Sequence, residues 1–270
     1  MMTNFDGGAQ PSMRTSIGFS TEDQIRVRGY NLSEELMGEV DFGSMFFLLV
    51  SGRVPNQGEA RLFNAVLVAL ADHGLTPTAL AARLTYTGAP DAIQGAIASG
   101  VLGAGSVFLG SFEDVGRILQ EAAPNSDASD DELRELAKET VAALRRANLK
   151  VPGLGHPIHK KGDPRTARLL NMAEELDLLG PRTRLMLHLR HEASEATGRD
   201  LVLNATGACG ALLSDLGFDA SILRGIAVVS RAAGLVGHLQ EENEQPMGQA
   251  IWQLVEREST YEDPRRAEPT

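Results

Sequence analysis

The sequence predicts a nearly all-α protein with one small β-hairpin near its N-terminus. Two observations support this fold class. Apolar residues recur at helical spacing through most of the 270 residues. Only two short segments, residues 15–19 and 24–28, alternate apolar and polar residues, and a turn-like stretch separates them. We expect these two segments to pair as the hairpin.

The predicted helices follow in chain order. A short helix starts at Asn31 or Ser33, and a second starts at Phe42 and stops at Gly52. The clearest helix covers residues 57–72, where the apolar residues fall on one face. Further helices are expected at residues 78–84, 91–103, 111–121, 130–147, 164 to about 180, 183–197, 201–216 and 221–242.

Three boundary features accompany these helices. Asp130 or Asp131 can cap the helix that follows a polar loop. Pro164 occupies the favoured first position of its helix. The charged stretch from Glu256 to the C-terminus is interpreted as a solvated tail, with an arm lying on a partner subunit as the alternative.

Charge and cysteine content limit the classes of partner. The chain has 36 Asp and Glu against 25 Lys and Arg, a net charge of −11, which disfavours nucleic acid and anionic membranes. The single cysteine, Cys209, excludes an internal disulfide and is expected to be a buried packing residue. Residues 1–13 lack the apolar core of a signal peptide, and no 18-residue apolar run occurs. We therefore expect a cytoplasmic protein with no membrane partner.

A local reversal of charge marks the segment around residues 150–168. Two glycines and two prolines hold the backbone open at residues 152–157. One anion, Asp163, stands in this segment among five cations, namely Lys150, Lys160, Lys161, Arg165 and Arg168. Arg165 lies in the first turn of its helix, where the dipole already favours anions. The segment would suit a ligand with phosphates or carboxylates, and a solvated helix start is the alternative.

The histidines leave two interpretations open. His73 ends the clearest helix, where it either interacts with the helix C-terminus or binds a ligand. His188 and His191 are expected at the surface, because no third metal ligand is evident and no metal site is predicted. Phosphate-binding loops, dinucleotide fingerprints and nucleophile elbows are absent from the sequence.

Four segments carry a resemblance to a known family. They are residues 28–30 with 45–55, residues 71–73, residues 153–156 with 163–165, and residues 230–238. In order and spacing they resemble the citrate synthase superfamily. The chain is similar to its short citryl-CoA lyase branch, which includes the C-terminal module of ATP-citrate lyase. The synthase motif Gly-Pro-Leu-His-Gly-Gly is absent, and Phe108 stands where its histidine would be.

The resemblance implies a citrate synthase-like fold with two helical domains and a cleft between them. The large domain would combine residues 1–110 with 225–270, and the small domain would cover residues 111–224. The family is dimeric, so a homodimer is expected, with the Gly- and Ala-rich helix at residues 92–103 as an interface element.

The resemblance also implies an enzyme, a carbon–carbon lyase that cleaves citryl-CoA, or a related 3-hydroxyacyl-CoA, to acetyl-CoA and oxaloacetate. The CoA thioester would be a substrate, and no covalently bound cofactor is expected. His156 would hydrogen-bond the substrate hydroxyl. The substrate carboxylates would be held by His73, Arg165 and Arg231.

The same resemblance assigns the CoA end of the substrate. Lys160 and Lys161 would meet the CoA phosphates. The backbone of Gly153, Leu154 and Gly155 would approach the adenine.

One departure from the family pattern affects the expected chemistry. The family's Leu-Asn-Val-Asp-Gly motif contains its catalytic aspartate, and this chain has Thr206 at that position, with Asn204 retained as a substrate-binding residue. A threonine hydroxyl hydrogen-bonds but does not act as a carboxylate base. Two alternatives therefore stand beside the lyase: a condensing enzyme acting on another acyl-CoA, and a catalytically weakened homologue that binds CoA thioesters.

Overall fold

The N-terminal sheet has three antiparallel strands in the order β1-β2-β3. The computed structural model describes residues 14–105, 109–123, 128–155 and 162–265. The strands are β1 (Gly18–Ser20), β2 (Ile25–Val27) and β3 (Tyr30–Asn31). The first two form the predicted hairpin, and β3 is an addition. Arg28 and Gly29 have φ angles of 50° and 90°, which reverse the chain so that β3 can pair with β2.

Contacts divide the chain into two units, Met1–Asn64 and Ala65–Thr270. The first unit continues from the sheet into a π-helical segment, Leu32–Leu36, and helix α1, Phe42–Ser51. Gly52 ends α1 as predicted, in the left-handed conformation with φ of 81°. Phe47 and Phe63 are fully buried and meet edge to face, with ring centroids 5.3 Å apart. This pair forms the centre of the first unit.

Ten further helices follow α1 in the described residues. Helix α2 (Gln57–Ala71) begins in the first unit and ends in the second. The others are α3 (Pro77–Gly88), α4 (Ile93–Leu102), α5 (Ser111–Ala122), α6 (Asp130–Arg146), α7 (Pro164–Glu175), α8 (Pro181–Thr197), α9 (Ala205–Asp215), α10 (Ala220–Glu244) and α11 (Gly248–Glu258). The predicted helical order is confirmed.

Several predicted boundaries are wrong. Helix α6 is capped by Ser129, which forms a reciprocal capping box with Glu132, so neither Asp130 nor Asp131 is the cap. Helix α7 ends at Glu175, earlier than predicted. Helix α9 begins at Ala205 rather than residue 201, because residues 201–204 run extended and Leu203 pairs with Leu154 in a β-bridge.

Helix α11 is absent from the sequence-based prediction, which placed a solvated tail from Glu256 onward. The helix begins where the Glu242 carboxylate accepts the backbone N–H groups of Met247 (2.9 Å) and Gly248 (2.7 Å). A side chain from the preceding helix thus supplies the cap, and local sequence patterns do not reveal such a contact.

Among the residues that the structure describes, the second unit has two clusters of buried apolar side chains. One joins α5, α6, α8 and α9, and the other joins α3, α4 and α10. Cys209 is fully buried in α9, as predicted, and burial raises the pKa of its thiol to about 12. The predicted domain division at residues 110 and 225 stays a prediction.

Helix α10 is long and apolar enough to cross a membrane by length and composition, and no other described helix meets that criterion. This is weak evidence for a span, because core helices of soluble proteins pass the same test. Helix α10 packs against α3, α4, α5 and α9.

Candidate active site

The C-terminal end of α2 is where the predicted carboxylate-binding residues meet. Arg165, at the start of α7, approaches the Ala69 carbonyl (Nη1···O 3.4 Å). Arg231, in the middle of α10, donates from Nε to the Leu70 carbonyl (3.1 Å). The last carbonyls of a helix lack intrahelical partners and carry partial negative charge, which favours cations. Three segments distant in sequence are thereby joined beside His73.

Helix α10 reaches this position because Gly234 lets it approach α2 closely. A Cβ atom at Gly234 would overlap the carbonyl oxygen of Ala71. One turn earlier, the Ser230 hydroxyl donates to the Leu67 carbonyl. The predicted late arginine segment is therefore fitted to the end of α2 by a small residue on one side of Arg231 and a hydrogen bond on the other.

Arg231 has the electrostatic character of an anion-binding group. Burial lowers the pKa of its guanidinium, Asp72 raises that pKa, and the nearby Arg165 lowers it further. Apart from Nε, its guanidinium makes no hydrogen bond to the described residues. A bound carboxylate between the two arginines would offset their repulsion and satisfy the remaining N–H groups.

Arg165 is fixed by a carboxylate whose side chain is fully buried. Asp163 accepts from Arg165 Nε at 3.0 Å and from Nη2 at 2.8 Å, and it also accepts the backbone N–H of Ala205 (3.2 Å). Burial raises the pKa of Asp163, but the Arg165 hydrogen bonds and charge outweigh it and hold that pKa below its usual value. Asp163 thus links the start of α7 to the start of α9.

Asn204 ties the start of α9 to the glycine loop. Its Oδ1 caps the helix by accepting from the Gly207 N–H (3.0 Å), and its Nδ2 donates to the Gly155 carbonyl (2.8 Å). Gly153 has φ of +81°, and a Cβ there would lie 2.5 Å from the Cα of Gly207. The loop and the helix therefore pack backbone against backbone. Both of Asn204's observed partners are main-chain groups, and its contact with substrate stays a prediction.

Thr206 lies in the first turn of α9 and is partly exposed. Its hydroxyl makes no hydrogen bond to any residue that the structure describes. The side chain where the resemblance places the family's aspartate is therefore partly accessible and uncharged.

The turn after α2 contains a contact that sequence reasoning missed. Asp72 accepts from His238 Nε2 (2.8 Å) and from the Gly74 N–H (2.8 Å). Burial raises the pKa of Asp72, but hydrogen bonds from Gly74, His238 and the His73 backbone outweigh burial, so the pKa lies below its usual value. His238 stands seven residues after Arg231, two helical turns along α10, and that spacing is the signal that could have revealed it.

Some of the remaining predicted site residues lie within the residues that the structure describes, and others lie outside them. Gly153, Leu154 and Gly155 are described, whereas His156, Lys160, Lys161 and Phe108 lie outside the described residues. In the described part of the chain, no group of three or more His, Cys, Asp or Glu side chains is suited to a metal ion. His191 is exposed, and His188 is partly buried against Asp130 (3.2 Å).

A cavity of about 320 Å³ opens beside Leu154 and Gly155. Its walls are mostly apolar, with side chains from the end of α6, the end of α8 and the segments that follow them. Three cations line it as well, Arg145, Lys150 and Arg199. Of these three cations, only Lys150 belongs to the basic segment that the sequence predicts at residues 150–168.

The comparisons with known proteins show which family the chain belongs to. The sequence matches the family described as citrate synthase, C-terminal domain, over residues 54–253. The chain belongs to the citrate synthase family. The predicted resemblance is thereby confirmed, together with the helical fold and its small N-terminal sheet.

Two solved structures share this citrate synthase-like fold. Citryl-CoA lyase from Hydrogenobacter thermophilus has a TM-score of 0.84 and 31% identity, covering 96% of this chain and 98% of that one. ATP citrate lyase from Methanothrix soehngenii, in complex with citrate and coenzyme A, has a TM-score of 0.74 and 22% identity, covering 96% of this chain and 43% of that one. The second likeness establishes the fold alone.

Curated relatives include citrate synthases. Citrate synthase 2 of Bacillus subtilis is 28% identical over 200 residues, which cover 73% of this chain and 51% of the relative. The chain spans about half or less of the length of the curated relatives that it first matches.

Proposed function

We propose that this protein is a citryl-CoA lyase-like enzyme that cleaves citryl-CoA, or a related 3-hydroxyacyl-CoA, to acetyl-CoA and oxaloacetate. The observation that carries the proposal is the meeting of Arg165 and Arg231 at the C-terminal end of α2. Two guanidinium groups beside His73 suit a substrate fragment with two carboxylates. The match to a citryl-CoA lyase along nearly the whole of both chains favours this branch of the family.

The CoA end of the substrate is proposed to occupy the cavity beside Leu154 and Gly155. The apolar walls suit the adenine ring of CoA. The cavity's three cations, Arg145, Lys150 and Arg199, suit the phosphates of CoA. Lys160 and Lys161 follow the same loop in sequence and would add positive charge. CoA is proposed as a substrate, with no covalently bound cofactor.

The proposed reaction is a retro-Claisen cleavage. The tertiary hydroxyl of citryl-CoA loses its proton, its oxygen becomes the keto oxygen of oxaloacetate, and the adjacent carbon–carbon bond breaks. The bonding electrons move to the thioester as an enolate, which takes up one proton at carbon to give acetyl-CoA. His156 would hydrogen-bond the hydroxyl, and Arg165 and Arg231 would hold the carboxylates.

Thr206 favours a second candidate function. A hydroxyl in the first turn of α9 cannot exchange a proton as a carboxylate does near neutral pH. The second candidate is a homologue that binds CoA thioesters and turns them over weakly. Condensation of another acyl-CoA with a keto acid remains the alternative direction, since the same groups serve both directions. In either case we propose a homodimer that acts in the cytoplasm.

The test is incubation of the purified protein with citryl-CoA, followed by mass spectrometry of the CoA species. Acetyl-CoA is expected above the rate without protein, and the His156→Ala variant should abolish the excess. Citryl-CoA that stays intact with the wild type would contradict the lyase. A panel of acyl-CoA thioesters would then separate a different substrate from a binding role.

A further inference from the structure

We propose that His238 is a positioning residue, which holds the Asp72 carboxylate and thereby fixes the turn that carries His73. The inference rests on the proposed function, because the turn that His238 would fix carries His73, one of the residues proposed to bind the substrate. His238 Nε2 lies 2.8 Å from Asp72 Oδ1, and the other carboxylate oxygen accepts the Gly74 N–H at 2.8 Å. Asp72 and Gly74, which the second of these contacts joins, flank His73 in sequence.

The hydrogen-bond partners of His238 determine its tautomer. Its Nδ1 faces Nη2 of Arg83 at 3.2 Å. A guanidinium has only donors, so Nδ1 accepts, and the ring proton lies on Nε2. The Nε2–H group therefore donates to Asp72. This tautomer is assigned by a side chain on α3, far from His238 in sequence.

Arg83 is itself held rigidly. Its side chain is fully buried, and it pairs with Glu242 (Nη1···Oε2 2.9 Å) and with Glu241. The other oxygen of Glu242 accepts the two backbone N–H groups that begin α11. A continuous path of contacts thus runs from the start of α11 through Glu242, Arg83 and His238 to Asp72.

This path acts on the predicted substrate-binding groups at its far end. The negative charge of Asp72 raises the pKa of Arg231. A carboxylate that rotated away from His238 would change both the backbone after α2 and the field at Arg231. The geometry therefore assigns His238 an effect on substrate binding without any contact between His238 and the substrate.

Amide hydrogen exchange at Gly74 tests the proposal without requiring activity. We would compare the wild type with His238→Gln, whose amide nitrogen reaches the position of Nε2, and His238→Asn, which keeps only the contact toward Arg83. Exchange at Gly74 is expected to be at least tenfold faster in His238→Asn and within threefold of the wild type in His238→Gln. His191→Asn, at an exposed histidine on α8, is the matched control and should change nothing.

A purely structural role would accelerate Gly74 exchange equally in both His238 variants, in step with amides elsewhere, and that result would overturn the proposal. The ¹⁵N chemical shifts of the His238 ring in the wild type give a second test, which does not depend on whether a variant folds. An Nε2–H tautomer is expected, and an Nδ1–H tautomer would contradict the account. Citryl-CoA cleavage by the wild type is measured in parallel, so failure of the proposed function is seen separately.

Discussion

At the scale of single residues, Arg231 is proposed to bind a substrate carboxylate, whereas Thr206 occupies the position where the resemblance expects the proton-transferring aspartate. Arg231 has a partly buried guanidinium whose N–H groups other than Nε–H bond to no described residue, which suits ground-state binding of a carboxylate. Thr206 presents an uncharged hydroxyl where the family resemblance places a carboxylate. Binding and proton transfer are therefore separable in this chain by substitution.

Replacing Thr206 with aspartate is expected to raise the rate of citryl-CoA cleavage. Restoring a general acid–base group contributes about 10²–10⁴-fold in typical enzymes, and we expect at least the lower figure. Thr206→Asn, similar in size to aspartate but uncharged, is the control and should leave the rate near that of the wild type. Acetyl-CoA formation under single-turnover conditions measures the effect. Equal rates for the folded Asp and Asn variants would mean that position 206 does not meet the reacting atoms.

At the scale of elements, the site is held by contacts between helix starts and loops. Asp163 joins α7 to α9, and Asn204 joins α9 to the glycine loop. None of these contacts involves a packed helix face. The geometry of the loop consequently depends on a few buried polar groups and on the absence of side chains at close approaches.

Gly153→Ala is expected to destabilise the protein more than Gly155→Ala. Both glycines have positive φ, +81° and +84°, so both substitutions incur backbone strain of roughly 1 kcal/mol. Only at Gly153 would the new methyl group also meet backbone, at the Cα of Gly207, whereas nothing lies within 4 Å at Gly155. Urea unfolding of the two variants measures the difference. Equal losses of unfolding free energy would refute the close approach.

Asp163→Asn is expected to lower the free energy of unfolding at pH 7 by about 3 kcal/mol, because it leaves Arg165 without its buried partner. The pKa of Asp163 is lowered in the folded protein, so its stabilisation is complete above the ordinary value of 3.8 and is lost as pH falls through the folded-state pKa. The gap between wild type and variant should therefore narrow below about pH 4. Unfolding curves at several pH values check this, and a gap that widens in acid would contradict it.

At the scale of the whole molecule, the sequence predicts which segments are helical but does not predict the side-chain contacts between the helices. Gly52 and the Asp163–Pro164 helix start were readable because their cues are local. Helix α11 was missed because its cap comes from Glu242 on another helix. The pairing of Arg83 with His238 joins residues 155 positions apart, and no local pattern contains that information. The sequence does not predict that Arg145 and Arg199 line one cavity, because these two residues are also distant in the chain.

The predicted homodimer is testable through α4. Leu102 and Ile93 on this helix are 80% and 46% exposed, which is typical of a helix that packs against a partner. Light scattering is expected to give a mass twice the 28.9 kDa of one chain. Leu102→Glu should shift that mass toward the monomer, while Val68→Glu, on the exposed side of α2, should leave it unchanged. A monomeric wild type would contradict the prediction.

The central claim is that the substrate's carboxylates bind where Arg165 and Arg231 meet the end of α2. Calorimetric titration with oxaloacetate tests it most directly, using the wild type, Arg231→Gln and, as a control, Arg168→Gln on the exposed side of α7. Losing one charge-assisted hydrogen-bond group is expected to weaken binding about tenfold or more. The account predicts that loss for Arg231→Gln and unchanged affinity for Arg168→Gln. Equal affinity of the Arg231→Gln variant and the wild type would contradict it.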